Sequence, residues 1–469
     1  MWGFKGSPTV VVQVRTERRE AKLDVSMHFS LISLYVIALR VVGIVFQALI
    51  IVLLANTIPM AEVGIFSAIY VFWGLARGLG PMGFDQVSMR DIATFSSDAD
   101  NVRVQSISNF AMLAVMAGGA IVAACTALFF RLAVDTGTGP ISPLVVAATS
   151  LAAPAYMMNG LLSAQLRGFG RPLQSQFPEA VGLHALSLSI LSLLAWHGKL
   201  SLEVTVVVHA VSAWLVTCLQ AVLRFRCGVD LAARLSGTAR RETMRDAFQI
   251  WQALVVRGTA ERVPAYLSLF LLGPAATAIL DVARRFGILP SLFTEGVSTT
   301  FTPMFAKLHA GSDREAYRQL LAQSSWLAFT PALAAFIFLF LFGRMVLDLF
   351  FPPSYQDAYW PMLLICAGVT VNAAFSLAGN NFLVTQRQTL VRRYFAYSFV
   401  VMVSGCLVLG YAFGTIGMAA AICASIVVCD GGLALRLARE MGRPVMLDPH
   451  YASLALLRLP GMLRTWFAR

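Results

Sequence analysis

Six arginines interrupt stretches of sequence that are otherwise apolar: Arg40, Arg77, Arg257, Arg262, Arg284 and Arg285. A guanidinium is always charged and presents a planar fork of N–H donors, the geometry that grips a carboxylate or a phosphate through two parallel hydrogen bonds. At the centre of a membrane helix each arginine costs about 2.5–3.5 kcal/mol. Six facing lipid would cost on the order of 15–20 kcal/mol, more than the net stability of a typical domain. They must therefore line a wet cavity, pair with acids, or reach an interface.

Spacing sorts these options. Ser33, Arg40 and Gln47 recur every seven residues and share one helical stripe. Glu261 follows Arg257 by four, within pairing reach, and Arg262 points about 100° away from it. Asp281, Arg284, Ser291, Glu295, Ser298 and Thr302 step by three or four, with only Ile288 apolar between them, and predict a polar stripe on one helix. Asp281 can pair with Arg284 or with Arg285. Arg77 sits within Gly74-x-x-x-Gly78, a spacing that also serves helix packing. Asn372, Ser376 and Asn380 form a third stripe, suited to a neighbouring helix or to sugar hydroxyls. Glu261, Asp281 and Glu295 are the candidates for coupling to H⁺ or Na⁺, although ion-pair duty explains the same acids. Glu62, Asp85 and Arg90 stand near helix ends and read as interfacial.

The elements that hold these groups follow from composition. Of 469 residues, 58% are hydrophobic and 13% charged, and the mean hydropathy is +0.72. Soluble domains carry about a quarter charged residues, so a soluble enzyme, a disordered chain and a disulfide scaffold are excluded. Twelve apolar stretches predict an all-α integral membrane protein, including 61–82, 178–196, 248–272, 277–302 and 361–384. Of the 36 basic residues, 27 fall in one alternating set of connections and tails, 3 in the other and 6 inside helices. This places both termini in the cytoplasm and makes the net charge of +12 a topogenic signal, not a nucleic-acid footprint. The basic run Arg224 to Arg245 reads as a loop near anionic lipid. The connections on the far side are short and leave no room for a catalytic domain there.

The chain divides into a cytoplasmic tail 1–28, a six-helix bundle 29–222, a basic linker 223–247, a second bundle 248–435 and a basic tail 436–469. Two such halves around a central cleft are a transporter plan. Met27 is a candidate start, and no cleavable signal peptide is visible. The cysteines form no C-x-x-C pair and read as reduced thiols. The sequence has no H-E-x-x-H and no G-x-x-x-x-G-K-[ST], so neither a metal nor a nucleotide is expected.

Ile58-Pro59-Met60-Ala61-Glu62-Val63-Gly64-Ile65-Phe66-Ser67 resembles the opening of the second helix in polysaccharide transporters. Gly80 to Asp85 with Arg90-Asp91-Ile92-Ala93 resembles its close. Leu166-Arg167-Gly168-Phe169-Gly170-Arg171 resembles the turn after their fourth helix, and Phe342-Gly343 through Ala358 the segment between helices nine and ten. Together they resemble the polysaccharide branch of the multidrug/oligosaccharidyl-lipid/polysaccharide (MOP) exporter superfamily, which includes O-antigen (Wzx-type) flippases. The resemblance implies a non-enzymatic transporter in the bacterial inner membrane, moving an oligosaccharide on undecaprenyl pyrophosphate. It further implies a polymerase and a chain-length regulator as pathway partners. A multidrug cation antiporter of the same superfamily and a membrane glycan polymerase are the competing readings. The antiporter predicts a cleft dominated by carboxylates, the polymerase a substantial external loop.

Overall fold

The computed structural model describes residues 35–36, 38–94, 101–134, 142–227, 237–260, 262–309, 314–385, 387–442 and 445–451. Residues 1–34 with Met27 and Ser33, residues 228–236 of the linker, Glu261 and the tail beyond 451 lie outside the described residues, as do the side chains of Arg257 and Thr302.

The described chain is all-helical. Its first half comprises α1 (Ala38–Thr57), α2 (Met60–Leu79), α3 (Phe84–Thr94), α4 (Asn101–Val134), α5 (Pro143–Gly168), α6 (Pro172–Trp196) and α7 (Leu202–Phe225). The second half comprises α8 (Gly237–Ala260), α9 (Val263–Leu272), α10 (Pro274–Gly287), α11 (Ser291–His309), α12 (Arg314–Phe350), α13 (Tyr359–Phe375), α14 (Leu377–Val384), α15 (Gln388–Ile426) and α16 (Gly432–Met441).

Among the described residues, nine helical stretches are long and apolar enough to cross a bilayer. The last of them runs for 54 residues, Gln388–Met441. At about 1.5 Å per residue it would span roughly 80 Å, far beyond a ~30 Å hydrocarbon core. It folds back at Gly414, which takes φ 60°. Ser398 on one limb then donates to the Ser425 carbonyl on the other at 2.8 Å.

Local chemistry sets the helix ends. Ser142 accepts from the Leu144 N–H at 3.3 Å and Pro143 opens α5. Pro172 opens α6, six residues ahead of the expected start. Glu62, expected at an interface, accepts from the Leu202 N–H at 3.0 Å and so caps α7 from a neighbouring helix.

Three expected spans are broken. The stretch 248–272 begins earlier, at Gly237, and divides at 261–262 because Pro264 has no N–H for the Ala260 carbonyl. The stretch 277–302 divides at 288–290, where Pro290 leaves only tight turns such as Leu289 N–H to Phe286 O at 3.2 Å. The predicted single stripe from Asp281 to Thr302 is therefore two stripes on two helices. The stretch 361–384 breaks at Ser376, between α13 and α14.

The apolar cores show how the halves meet. The ends that carry the short connections share one core, with Ile51, Leu54 and Phe66 from the first half and Leu280, Met362 and Met418 from the second. At the opposite, basic ends there are two cores. One gathers Ala76, Phe84, Met157 and Leu161 and takes in Ala247 of α8. The other gathers Phe301, Phe305, Leu321, Phe382 and Leu437. Among the described residues the halves thus share a core at the short-loop end and none at the basic end, which defines a wedge, and α8 leaves its own half to join the first.

Candidate functional site

The wedge brings the first half's arginines together. Arg40 is exposed and its Nε donates to Gln176 Oε1 on α6 at 3.3 Å. Gln47, two turns further along α1, meets His184 Nε2 on α6 at 2.9 Å. The described part of the predicted α1 stripe therefore faces α6. Arg77, on α2, pairs with Glu179, also on α6. Glu179 in turn accepts from the Ser163 hydroxyl, and that hydroxyl accepts from Gln220 Nε2 at 2.8 Å. The carboxylate is thus held by α5 and α7 as well. The two partners differ in access: the Arg77 side chain is 44% exposed and that of Glu179 only 11%.

Arg262 stands at the break between α8 and α9. It donates to the carbonyls of Gly258 at 2.9 Å and Gly74 at 3.3 Å, so it bridges the second half to α2. Arg77 lies within electrostatic range of Arg262 and of Arg167, and Arg167 within range of Arg40 and Asp85. Arg40, Arg77, Arg167 and Arg262 thus share one positive region. Beside it, a Cβ on Gly78 of α2 would meet nothing within 4 Å.

Arg285 has a different setting. Its Nε donates to Asp281 at 2.9 Å, Asp281 accepts from the Ser67 hydroxyl of α2 at 2.9 Å, and the guanidinium lies over the Tyr70 ring at 5.5 Å. Of the two pairings open to Asp281, the structure has Arg285. This group ties the halves together where the wedge is closed. Arg284 is part-buried on the same helix and Glu295 is exposed on α11. Arg257, by its side chain, and Glu261 lie outside the described residues.

The third stripe turns toward a neighbour. Asn372 donates to Asp430 at 2.8 Å, on the π-helical segment between α15 and α16. The Ser376 hydroxyl is enclosed without a partner among the described residues, and Asn380 is part-buried.

Sequence reasoning missed Arg167, Glu179, Asp430 and Arg224. Arg167 was legible as the basic residue of the Leu166–Arg171 motif. Glu179 was hidden by starting the helix at 178; Pro172 after Gly170-Arg171 was the signal for an earlier start. Asp430 is the lone acid of its apolar run. Arg224, expected in a lipid-facing loop, instead closes α7 fully buried. It donates to Ser108 Oγ at 2.9 Å, Gln165 Oε1 at 2.9 Å and Asn109 Oδ1 at 2.6 Å, linking α4, α5 and α7.

Two charges outside the spans join the same side. Arg90 pairs with Asp91 at 2.8 Å and with Asp246 of α8 at 3.3 Å. Their charge and hydrogen bonds hold the guanidinium pKa above its usual value. Burial pushes the Asp85 carboxyl up from its usual range.

The profile of the family described as polysaccharide biosynthesis protein matches residues 33–309, more than half of the chain and all of the positive region. The chain belongs to this family. No curated protein matches it by sequence. Among solved structures it is similar to the lipid II flippase MurJ in an inward closed conformation, with TM-score 0.72, 13% identity, and 94% of this chain and 93% of that one covered. It is similar to an inward-facing multidrug resistance MATE family transporter of the MOP superfamily, at TM-score 0.69, 13% identity, and 88% and 99% coverage. An outward-facing MATE transporter scores 0.58, at 15% identity and 88% and 96% coverage. The fold is that of the MOP transporters, and the chain is a multi-pass membrane protein.

Proposed function

We propose that this member of the polysaccharide biosynthesis family is a flippase for an oligosaccharide carried on undecaprenyl pyrophosphate. The observation that carries the reading is the positive region of Arg40, Arg77, Arg167 and Arg262 beside the wedge. A diphosphate is the anion that several guanidinium forks hold best. Arg40, Arg77 and Arg262 bind the headgroup, with Arg257 and Arg284 as further candidates on the facing half. Sugars occupy the wedge beyond it, Asn380 being the remaining candidate of its stripe, and the polyprenyl chain stays in lipid.

The basic end faces the cytoplasm of a bacterial inner membrane, as its Lys and Arg excess favours. The wedge then opens inward, in keeping with a higher similarity to the inward-facing than to the outward-facing MATE structure. Rocking of the halves about the closed end delivers the headgroup to the other leaflet. H⁺ or Na⁺ coupling through Asp281, Glu295 or Glu261, and pathway partners such as a polymerase and a chain-length regulator, belong to the same reading. A cation antiporter is disfavoured, because the region repels cations.

The test is Arg77→Ala and Arg40→Ala in cells that depend on the pathway. Glycan export is expected to fall at least about tenfold, the equivalent of 1.4 kcal/mol, while lipid-linked oligosaccharide accumulates by mass spectrometry. Full export by both variants at normal protein level overturns the reading.

A further inference from the structure

Glu179 is the one acid that the described structure pairs with Arg77, and its setting is unusual. It lies on the π-helical segment Phe177–Gly182 of α6. Such a segment inserts an extra residue into a helix and re-aims the side chains around it, often at functional sites. The carboxylate is fixed from behind by Ser163, which Gln220 supports, and it is shielded from solvent. Arg77 is the accessible member of the pair, and beside it Gly78 leaves open space. Arg167 and Arg262 add like charge around it. An anion entering this space meets a guanidinium already occupied by a carboxylate of the protein.

We propose that Glu179 is a built-in stand-in for the substrate's phosphate: it holds Arg77 while the wedge is empty and yields it to the incoming diphosphate. This deepens the proposed function and rests on it for the identity of the anion. The exchange breaks no covalent bond. Arg77 trades one oxyanion partner for another, and Glu179 keeps its Ser163 hydrogen bond. The arrangement has two consequences. It removes part of the cost of an uncompensated guanidinium in the empty protein. It also weakens diphosphate binding, which keeps the headgroup from being trapped and lets Glu179 help expel it. Glu179 is thus a positioning residue that tunes affinity against release.

The experiment uses the full chain, purified into lipid nanodiscs, with two probes: inorganic pyrophosphate and undecaprenyl pyrophosphate. Glu179→Gln keeps the shape and removes the charge; Glu179→Asp keeps the charge and draws it back by one methylene. Both probes are expected to bind Glu179→Gln about tenfold more tightly than the parent, one unit of 1.4 kcal/mol. Glu179→Asp falls between, and export in cells drops although binding improves. With Arg77→Ala in place, Glu179→Gln has no further effect. A merely structural role for Glu179 cannot tighten binding. Unchanged or weaker binding of both probes to folded Glu179→Gln and Glu179→Asp overturns the proposal, whether or not the parent binds. Failure of the parent to bind undecaprenyl pyrophosphate, with tighter pyrophosphate binding by Glu179→Gln, overturns the substrate reading and leaves the role of Glu179 standing.

Discussion

The two ends of the molecule solve the problem of charge in a membrane in opposite ways. At the short-loop end the halves share one core, and the arginine found there is saturated. Arg285 holds Asp281, which Ser67 reaches from the other half. Chain contacts reinforce the closure, since Asn56 donates to the Phe350 carbonyl at 2.8 Å. At the basic end the described cores separate, and Arg40, Arg77, Arg167 and Arg262 gather where, among the described residues, Glu179 is the acid that pairs with one of them. The closed end spends its charge on holding the halves together. The open end keeps its charge available for an anion. Arginine in a membrane helix is therefore not one signal but two, and partner and access tell them apart.

The largest break in this comparison comes from Asp281→Ala. It leaves Arg285, with 18% side-chain exposure, without its acid. Loss of one partner of a fully buried pair costs about 3–5 kcal/mol, and this part-buried pair is expected to lose less than that. The expected outcome is a clear fall in the melting temperature of the detergent-purified protein. Asp281→Ala combined with Arg285→Met should recover much of it, because no stranded charge remains. Equal destabilisation by the single and the double variant would show that the ion pair is not what holds this end.

The contrast was partly legible beforehand. Composition and apolar runs pointed to the all-helical membrane class, because those signals are summed over hundreds of residues. Arg40, Arg77, Arg262 and Arg285 were found because a charge in an apolar run stands out. Their division into paired and available was not legible, since it depends on partners far along the chain: Arg77 meets Glu179, and Asp281 meets Ser67. The broken helices were missed for another reason. Pro264 and Pro290 lie in runs whose hydropathy continues through the break, and proline is ordinary in membrane helices. The stripe from Asp281 to Thr302 was drawn on a helical period that Pro290 interrupts.

A sharper version of the comparison lies within α2, which carries a glycine at each end of the wedge. A Cβ on Gly64 would sit 1.7 Å from the Pro274 carbonyl oxygen, backbone of the other half. Gly64→Ala must push the halves apart where they are closed, and overpacking of this kind costs about 1–3 kcal/mol. Gly78→Ala meets nothing within 4 Å and replaces a poor helix former, so it should be neutral or stabilising by up to about 1 kcal/mol. Parallel thermal unfolding of the two variants checks this. A stability loss for Gly78→Ala matching that of Gly64→Ala would mean that the wedge is packed shut along its whole length.

The smallest expected effect concerns how α8 crosses to the first half at the basic end. Trp251 donates to the Leu79 carbonyl at 2.8 Å, an anchor with no net charge. Arg90 reaches Asp246 at 3.3 Å, but with 55% and 37% side-chain exposure. Ion pairs this exposed contribute about 0–1 kcal/mol and are screened by salt. Arg90→Ala should therefore leave the fold intact and only loosen the crossing. Spin labels at the exposed positions Thr94 and Arg245 are expected to report a broader, longer distance distribution in Arg90→Ala at low ionic strength. Parent and variant should converge in high salt. Identical distributions at low salt would assign the crossing to the Trp251 bond and the apolar contacts of Ala247, and would leave the Arg90 pair no part in setting how far the wedge opens.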